Sequence, residues 1–176
     1  MDSILLFVTA VGGLFTLLSY YLLSKNIDDR QYEQIKAGLD FRLWIPSMIV
    51  SIVAYVYTLL FWIYLKDTDL KVFDDLYYDP GNNTARDWIV FMYSLFLFSA
   101  ASYAYTVNTC IVMKTHYILL DIVLYATAAA AIGLLVISFG IDASSPHKIP
   151  VIVGYAFLAF HCTFFDAIQW NNSFTV

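Results

Sequence analysis

Five stretches of the chain are almost continuously apolar, at about residues 4–24, 43–65, 88–113, 117–140 and 149–170. Each is long enough to cross a hydrocarbon core roughly 30 Å thick, which takes about 20 residues of helix. None shows the alternation over about ten positions that marks a barrel strand. Backbone groups in lipid must be satisfied within their own segment, so every run is predicted to be helical. Polar positions collect between the runs: a charged connector from Lys25 to Arg42, an acidic loop from Lys66 to Asp87 containing Asp79-Pro80-Gly81-Asn82, and Ser144-Ser145-Pro146 with Pro150. Between the third and fourth runs only Val112-Met113-Lys114-Thr115-His116 intervenes, which predicts a tight antiparallel hairpin. The expected architecture is an all-α integral membrane protein, a five-transmembrane-helix bundle forming one membrane domain over residues 1–176. The first run has no basic region before it and ends in Tyr20-Tyr21-Leu22-Leu23 instead of a small-residue cleavage site, so it is expected to be retained. No lipidation or retention motif and no inverted internal repeat is visible.

Composition agrees with this pattern. Of 176 residues, 61% are hydrophobic and 13% charged, with a mean hydropathy of +0.71. Soluble domains run at about 45–50% and about 25%, so a soluble globular protein is excluded. The surplus is aromatic, with 14 Phe, 14 Tyr and 4 Trp, so buried surfaces here are lined by flat, polarizable rings. A net charge of −5 and the lack of any basic cluster argue against a nucleic-acid partner. Cys110 and Cys162 have no metal-type spacing. With five spans the termini lie on opposite faces. Lys25, Arg30, Lys36, Arg42 and Lys114 share the C-terminal face, against Lys66, Lys71, Arg86 and Lys148 on the other, a narrow preference for a cytosolic C-terminus. The sequon Asn82-Asn83-Thr84 on the acidic loop agrees with that orientation. Span length does not tell one membrane from another.

Ionisable groups inside the runs are the informative exceptions, because Asp near a helix centre costs about 2.5–3.5 kcal/mol on insertion scales. Asp121 lies about one turn inside the fourth run, where hydration or a cap-like bond to nearby backbone would satisfy it. Asp166 stands near the end of the fifth, with His161 five residues earlier, roughly 140° around an α-helix and so on a different face. That spacing argues against a metal pair or proton relay, and a third ligand is missing. No nucleophile elbow or other catalytic signature is present, so enzymatic activity is not expected. Ala126, Ala128, Ala129, Ala130, Ala131 and Gly133, and also Gly12-Gly13, make thin surfaces for close helix packing or for a ligand. Trp44, Tyr117 and Trp170 sit near span ends, where rings anchor at the interface. Tyr103-Ala104-Tyr105 lies deeper, and Phe157, Phe160 and Phe164 mark one helix face, either core or pocket.

These features resemble the translocator proteins, also called tryptophan-rich sensory proteins. In the fourth span, Asp121 followed by aliphatics and the tract from Ala128 to Ala131 is similar to the family's Asp and small-residue tract. Tyr117 stands where the family commonly has Trp, and Tyr103-Ala104-Tyr105 resembles its Trp-Ala-Trp. Leu158-Ala159-Phe160 and the segment from Asp166 to Trp170-Asn171 resemble motifs of its fifth helix, while Ala37-Gly38-Leu39 and Trp44-Ile45-Pro46 are similar, more weakly, to the start of its second. The family's prolines before the second helix and after the third-helix Trp pair are missing, and the acidic loop is longer, so the chain resembles a diverged member.

The resemblance implies a binding protein holding a porphyrin or a sterol between helices, with no required cofactor and no metal. The expected ligand-binding residues are Trp44, Tyr103, Tyr105, Tyr117, Phe157 and Phe160, with His161 and Asp166 as placed polar groups. Asp121, Ala128, Ala129 and Ala130 are expected to serve packing. The expected partners are the lipid bilayer, an apolar small molecule and, in a dimer, a second copy of the chain. Two other classes stay open: a small transporter or channel using Asp121 and Asp166, and a structural subunit of a larger membrane assembly whose acidic loop contacts a partner.

Overall fold

The computed structural model describes residues 3–26, 33, 40–64, 84–113 and 118–171. Within them lie five helices: α1 (Ser3–Asn26), α2 (Phe41–Tyr64), α3 (Thr84–Met113), α4 (Ile118–Ser138) and α5 (Lys148–Phe160). A π-helical segment, π1 (His161–Trp170), continues α5 without a break. No strand occurs among the described residues. All five helices, the last counted together with π1, are long and apolar enough to cross a membrane. The acidic loop with the Asn82 sequon, Tyr117 and most of the first connector lie outside the described residues.

Helix ends follow local chemistry. The Asp40 carboxylate accepts the Arg42 N–H at 3.0 Å, and the Asp40 carbonyl accepts the Trp44 N–H at 2.8 Å, which starts α2. Pro150 sits in the first turn of α5, where a missing N–H costs least, whereas Pro46 lies inside α2 and leaves the Arg42 carbonyl without its i+4 donor. After α4 the chain turns at Gly140, and Asp142 accepts the backbone N–H and the hydroxyl of Ser144 at 2.8 and 2.7 Å. Ser and Thr within the helices return their hydroxyls to carbonyls three or four residues back, as Ser94 does to Val90 and Thr109 to Tyr105.

The helices close into a ring in the order α1, α3, α4, α5, α2. Packing is most extensive between α3 and its two neighbours, and sparsest where α2 meets α1. Small residues permit close approach, which raises van der Waals contact between the apolar helices. A Cβ on Gly12 would lie 2.9 Å from Leu97 Cβ of α3, and one on Gly154 would lie 3.0 Å from Thr58 Cγ2 of α2. Gly13, adjacent to Gly12, faces open space. Hydroxyls tie the ring further: Thr127 donates to Ser99 at 2.8 Å between α4 and α3, and Ser51 to the Phe157 carbonyl at 3.3 Å between α2 and α5. In the small-residue tract of α4, Ala128, Ala130 and Ala131 are buried in the core whereas Ala129 is exposed, so the expectation that Ala129 packs against a neighbour is corrected. Three consecutive residues on a helix span roughly 200°, more than one neighbour covers.

Candidate functional site

Beyond the hydroxyls that pair along the helices, two clusters of polar and aromatic groups lie toward opposite ends of the bundle, in arrangements of different character. Toward the end formed by the α4–α5 loop, Tyr93 of α3, Tyr155 of α5 and Trp62 and Thr58 of α2 meet in a sealed network. The Trp62 indole N–H donates to the Tyr155 hydroxyl, which lies 2.8 Å from the Tyr93 hydroxyl, and the Thr58 hydroxyl lies beside both phenols. Tyr55 packs on the Tyr93 ring at 5.6 Å and stacks on Phe96 at 5.5 Å. Every polar group of the three aromatic members is satisfied inside the protein, so this cluster joins three helices and leaves nothing for a ligand. A separate shallow cavity of about 330 Å³ lies at this end between Tyr57, Leu60, Phe61, Tyr64 and His147.

The opposite end is organised by π1. Hydrogen bonds from residue i to i+5 widen the turn and bring residues five apart nearly into line, and such turns are frequent at functional sites. His161 and Asp166, expected on different faces from α-helical spacing, are therefore brought together, with His161 Nε2 3.7 Å from Asp166 Oδ1. That expectation is corrected by the wider helix. Two residues of α2 meet them. Trp44 Nε1 donates a long hydrogen bond to Asp166 Oδ1 at 3.4 Å, and His161 Nδ1 lies 3.0 Å from the Ser47 hydroxyl. The His161 ring is flanked by Trp44 at 5.9 Å and Phe165 at 5.7 Å between centroids. From the other side, Tyr20 of α1 stacks on Tyr103 of α3 at 5.8 Å, and both phenols come within electrostatic range of Asp166. The Asp166 side chain thus contacts Trp44 of α2, lies within electrostatic range of Tyr20 of α1, and retains 29% of its exposure. Among the described residues no Lys or Arg pairs with it.

The remaining expected site residues lie elsewhere. Tyr105 is 67% exposed on the outer surface, because its neighbour Ala104 is the residue turned into the core. Phe157 and Phe160 are 48% and 53% exposed, and Phe160 stacks on Phe164 at 5.3 Å along the outside of the helix. Their shared face is neither core nor pocket. Tyr117 lies outside the described residues. Asp121 accepts the Asn171 side-chain amide at 2.7 Å, a bond from the start of α4 to the end of π1. The two cysteines are buried and unbonded to each other, and no group of three His, Cys, Asp or Glu gathers among the described residues.

Sequence reasoning missed Tyr20, Ser47 and Phe165 at this end and the whole Tyr93, Tyr155, Trp62 network at the other. For Tyr93 and Tyr155 a signal was present: they stand well inside their spans, where an interfacial anchor has no use. Compared with known proteins, the chain matches no family model, no curated protein and no solved structure.

Proposed function

We propose that this chain is a multi-pass membrane protein that binds a flat apolar ligand, of the porphyrin or sterol class, at the π1 end of its bundle. The observation that carries the reading is the gathering of Trp44, His161 and Asp166 beside the stacked Tyr20 and Tyr103. Ionisable groups within apolar spans mark functional sites by default, and binding pockets combine apolar walls with a few placed polar groups. The sealed network at the far end favours binding over conduction, because it crosses the interior between α2, α3 and α5. The ligand class itself rests on the resemblance to translocator proteins. The orientation that goes with this reading puts the C-terminus, and so the site, on the cytosolic side, following the narrow excess of Lys and Arg there.

Titration of the detergent-purified protein with protoporphyrin IX, and in parallel with a fluorescent sterol, tests the proposal through quenching of intrinsic fluorescence. Saturable binding of at least one that Tyr103→Ala and His161→Ala weaken, while the outward-facing Tyr105→Ala and Phe160→Ala do not, is the expected result. A folded, monodisperse sample that binds neither ligand overturns the reading.

A further inference from the structure

We propose that the site at the π1 end selects ligands whose flat apolar body carries a protonated amine, with the Asp166 carboxylate as the counter-charge. The inference rests on the flat-ligand binding role proposed above and narrows it: of the flat ligands named there, it disfavours the anionic propionates of a porphyrin relative to a neutral or cationic body.

A carboxylate offers about four acceptor positions, and Asp166, 29% exposed, has few of them filled by the protein. Among the described residues, the hydrogen bond to its carboxylate is that of the Trp44 indole N–H at 3.4 Å, near the limit for such a bond. His161 Nε2 at 3.7 Å is beyond hydrogen-bond range, and its other ring nitrogen is engaged with Ser47. Among the described residues, the other groups within electrostatic range of Asp166 are the phenols of Tyr20 and Tyr103 and the thiol of Cys162, none of them a cation. Lys25, the nearest base along α1, has its ammonium over the Tyr21 ring at 4.8 Å. The acid touches Trp44 and lies within electrostatic range of the stacked Tyr20 and Tyr103, rings whose π-faces attract cations. A carboxylate among aromatic rings recognises an ammonium group, and the same field repels an anionic head. The side chain is also reachable, being partly exposed.

The test uses three fluorescent probes sharing one ring system: 1-pyrenemethylamine, 1-pyrenemethanol and 1-pyrenecarboxylate. Each is titrated into the purified full-length protein, with empty micelles as the partitioning baseline. The amine is expected to bind about tenfold or more tighter than the alcohol, and the carboxylate weakest. In Asp166→Asn the preference of amine over alcohol is expected to fall to about one, whereas Tyr105→Ala retains it. Equal affinity for all three probes in the wild-type protein overturns the head-group assignment and leaves the flat-ligand reading standing. Failure of all three to bind overturns that reading itself. A preference for the amine that persists in folded Asp166→Asn also overturns the assignment.

Discussion

Removing one oxygen atom from Tyr155 tests how much the buried hydroxyl network holds the ring together. Tyr93 and Tyr155 are both 0% exposed, and the Tyr155 hydroxyl accepts the Trp62 N–H while sharing a bond with the Tyr93 hydroxyl at 2.8 Å. Tyr155→Phe keeps the ring and its packing but leaves the Trp62 N–H without its acceptor. Interhelical hydrogen bonds within membranes average about 0.6 kcal/mol and reach about 1.7, so losing two costs about 1–3 kcal/mol. The penalty for stranding a buried donor, about 1–3 kcal/mol, leads to the same range. Tyr93→Phe removes one of the two bonds and leaves the Trp62 pair intact, so about half that loss is expected. Tyr125, exposed on α4, provides the control: Tyr125→Phe is expected to change nothing. Reversible unfolding in mixed micelles with increasing dodecyl sulfate, followed by far-ultraviolet circular dichroism, reads the differences. The reasoning fails if Tyr155→Phe unfolds with the wild type, or if the exposed control costs as much.

Three further outcomes follow from the packing. The adjacent glycines of α1 should respond with opposite signs in thermal unfolding: Gly12→Ala meets Leu97 Cβ and loses about 1–3 kcal/mol, while Gly13→Ala meets nothing and is neutral or gains up to about 1 kcal/mol of helix propensity. Thr127→Val removes the bond to Ser99 between α4 and α3 and should cost about 0.6 kcal/mol in the same micellar titration; no loss would show that Ser99 finds another partner. A double-mutant cycle of Asp121→Ala and Asn171→Ala should return a coupling of at least about 0.5 kcal/mol for their 2.7 Å bond, and strict additivity would contradict it.

The helices themselves were legible because a spanning segment needs only length and apolarity, and the five runs coincide with α1 to α5 plus π1 to within a few residues. Which face of each helix turns inward was not. Lipid is as apolar as a protein core, so Phe157, Phe160 and Phe164 show the same spacing on an outer face as they would inside. Tyr103 and Tyr105 differ in the same way: one is stacked on Tyr20, the other is exposed, and only the packing of Ala104 tells them apart. The pairing of His161 with Asp166 escaped for another reason. Sequence periodicity presumes 100° per residue, and π1 does not turn at that rate. Asp121 was recognised as needing a partner, but that partner, Asn171, lies fifty residues away, a separation no local pattern reveals.

The knot of Tyr93, Tyr155 and Trp62 gives the bundle a blind end. Under the proposed role, cargo enters and leaves at the π1 end alone, so the protein serves one leaflet and works as a reservoir that presents its load and takes it back. The direction of net traffic then belongs to whatever delivers to that leaflet or draws from it. Reversing how the chain is threaded would change which compartment is served without altering a single contact inside the bundle.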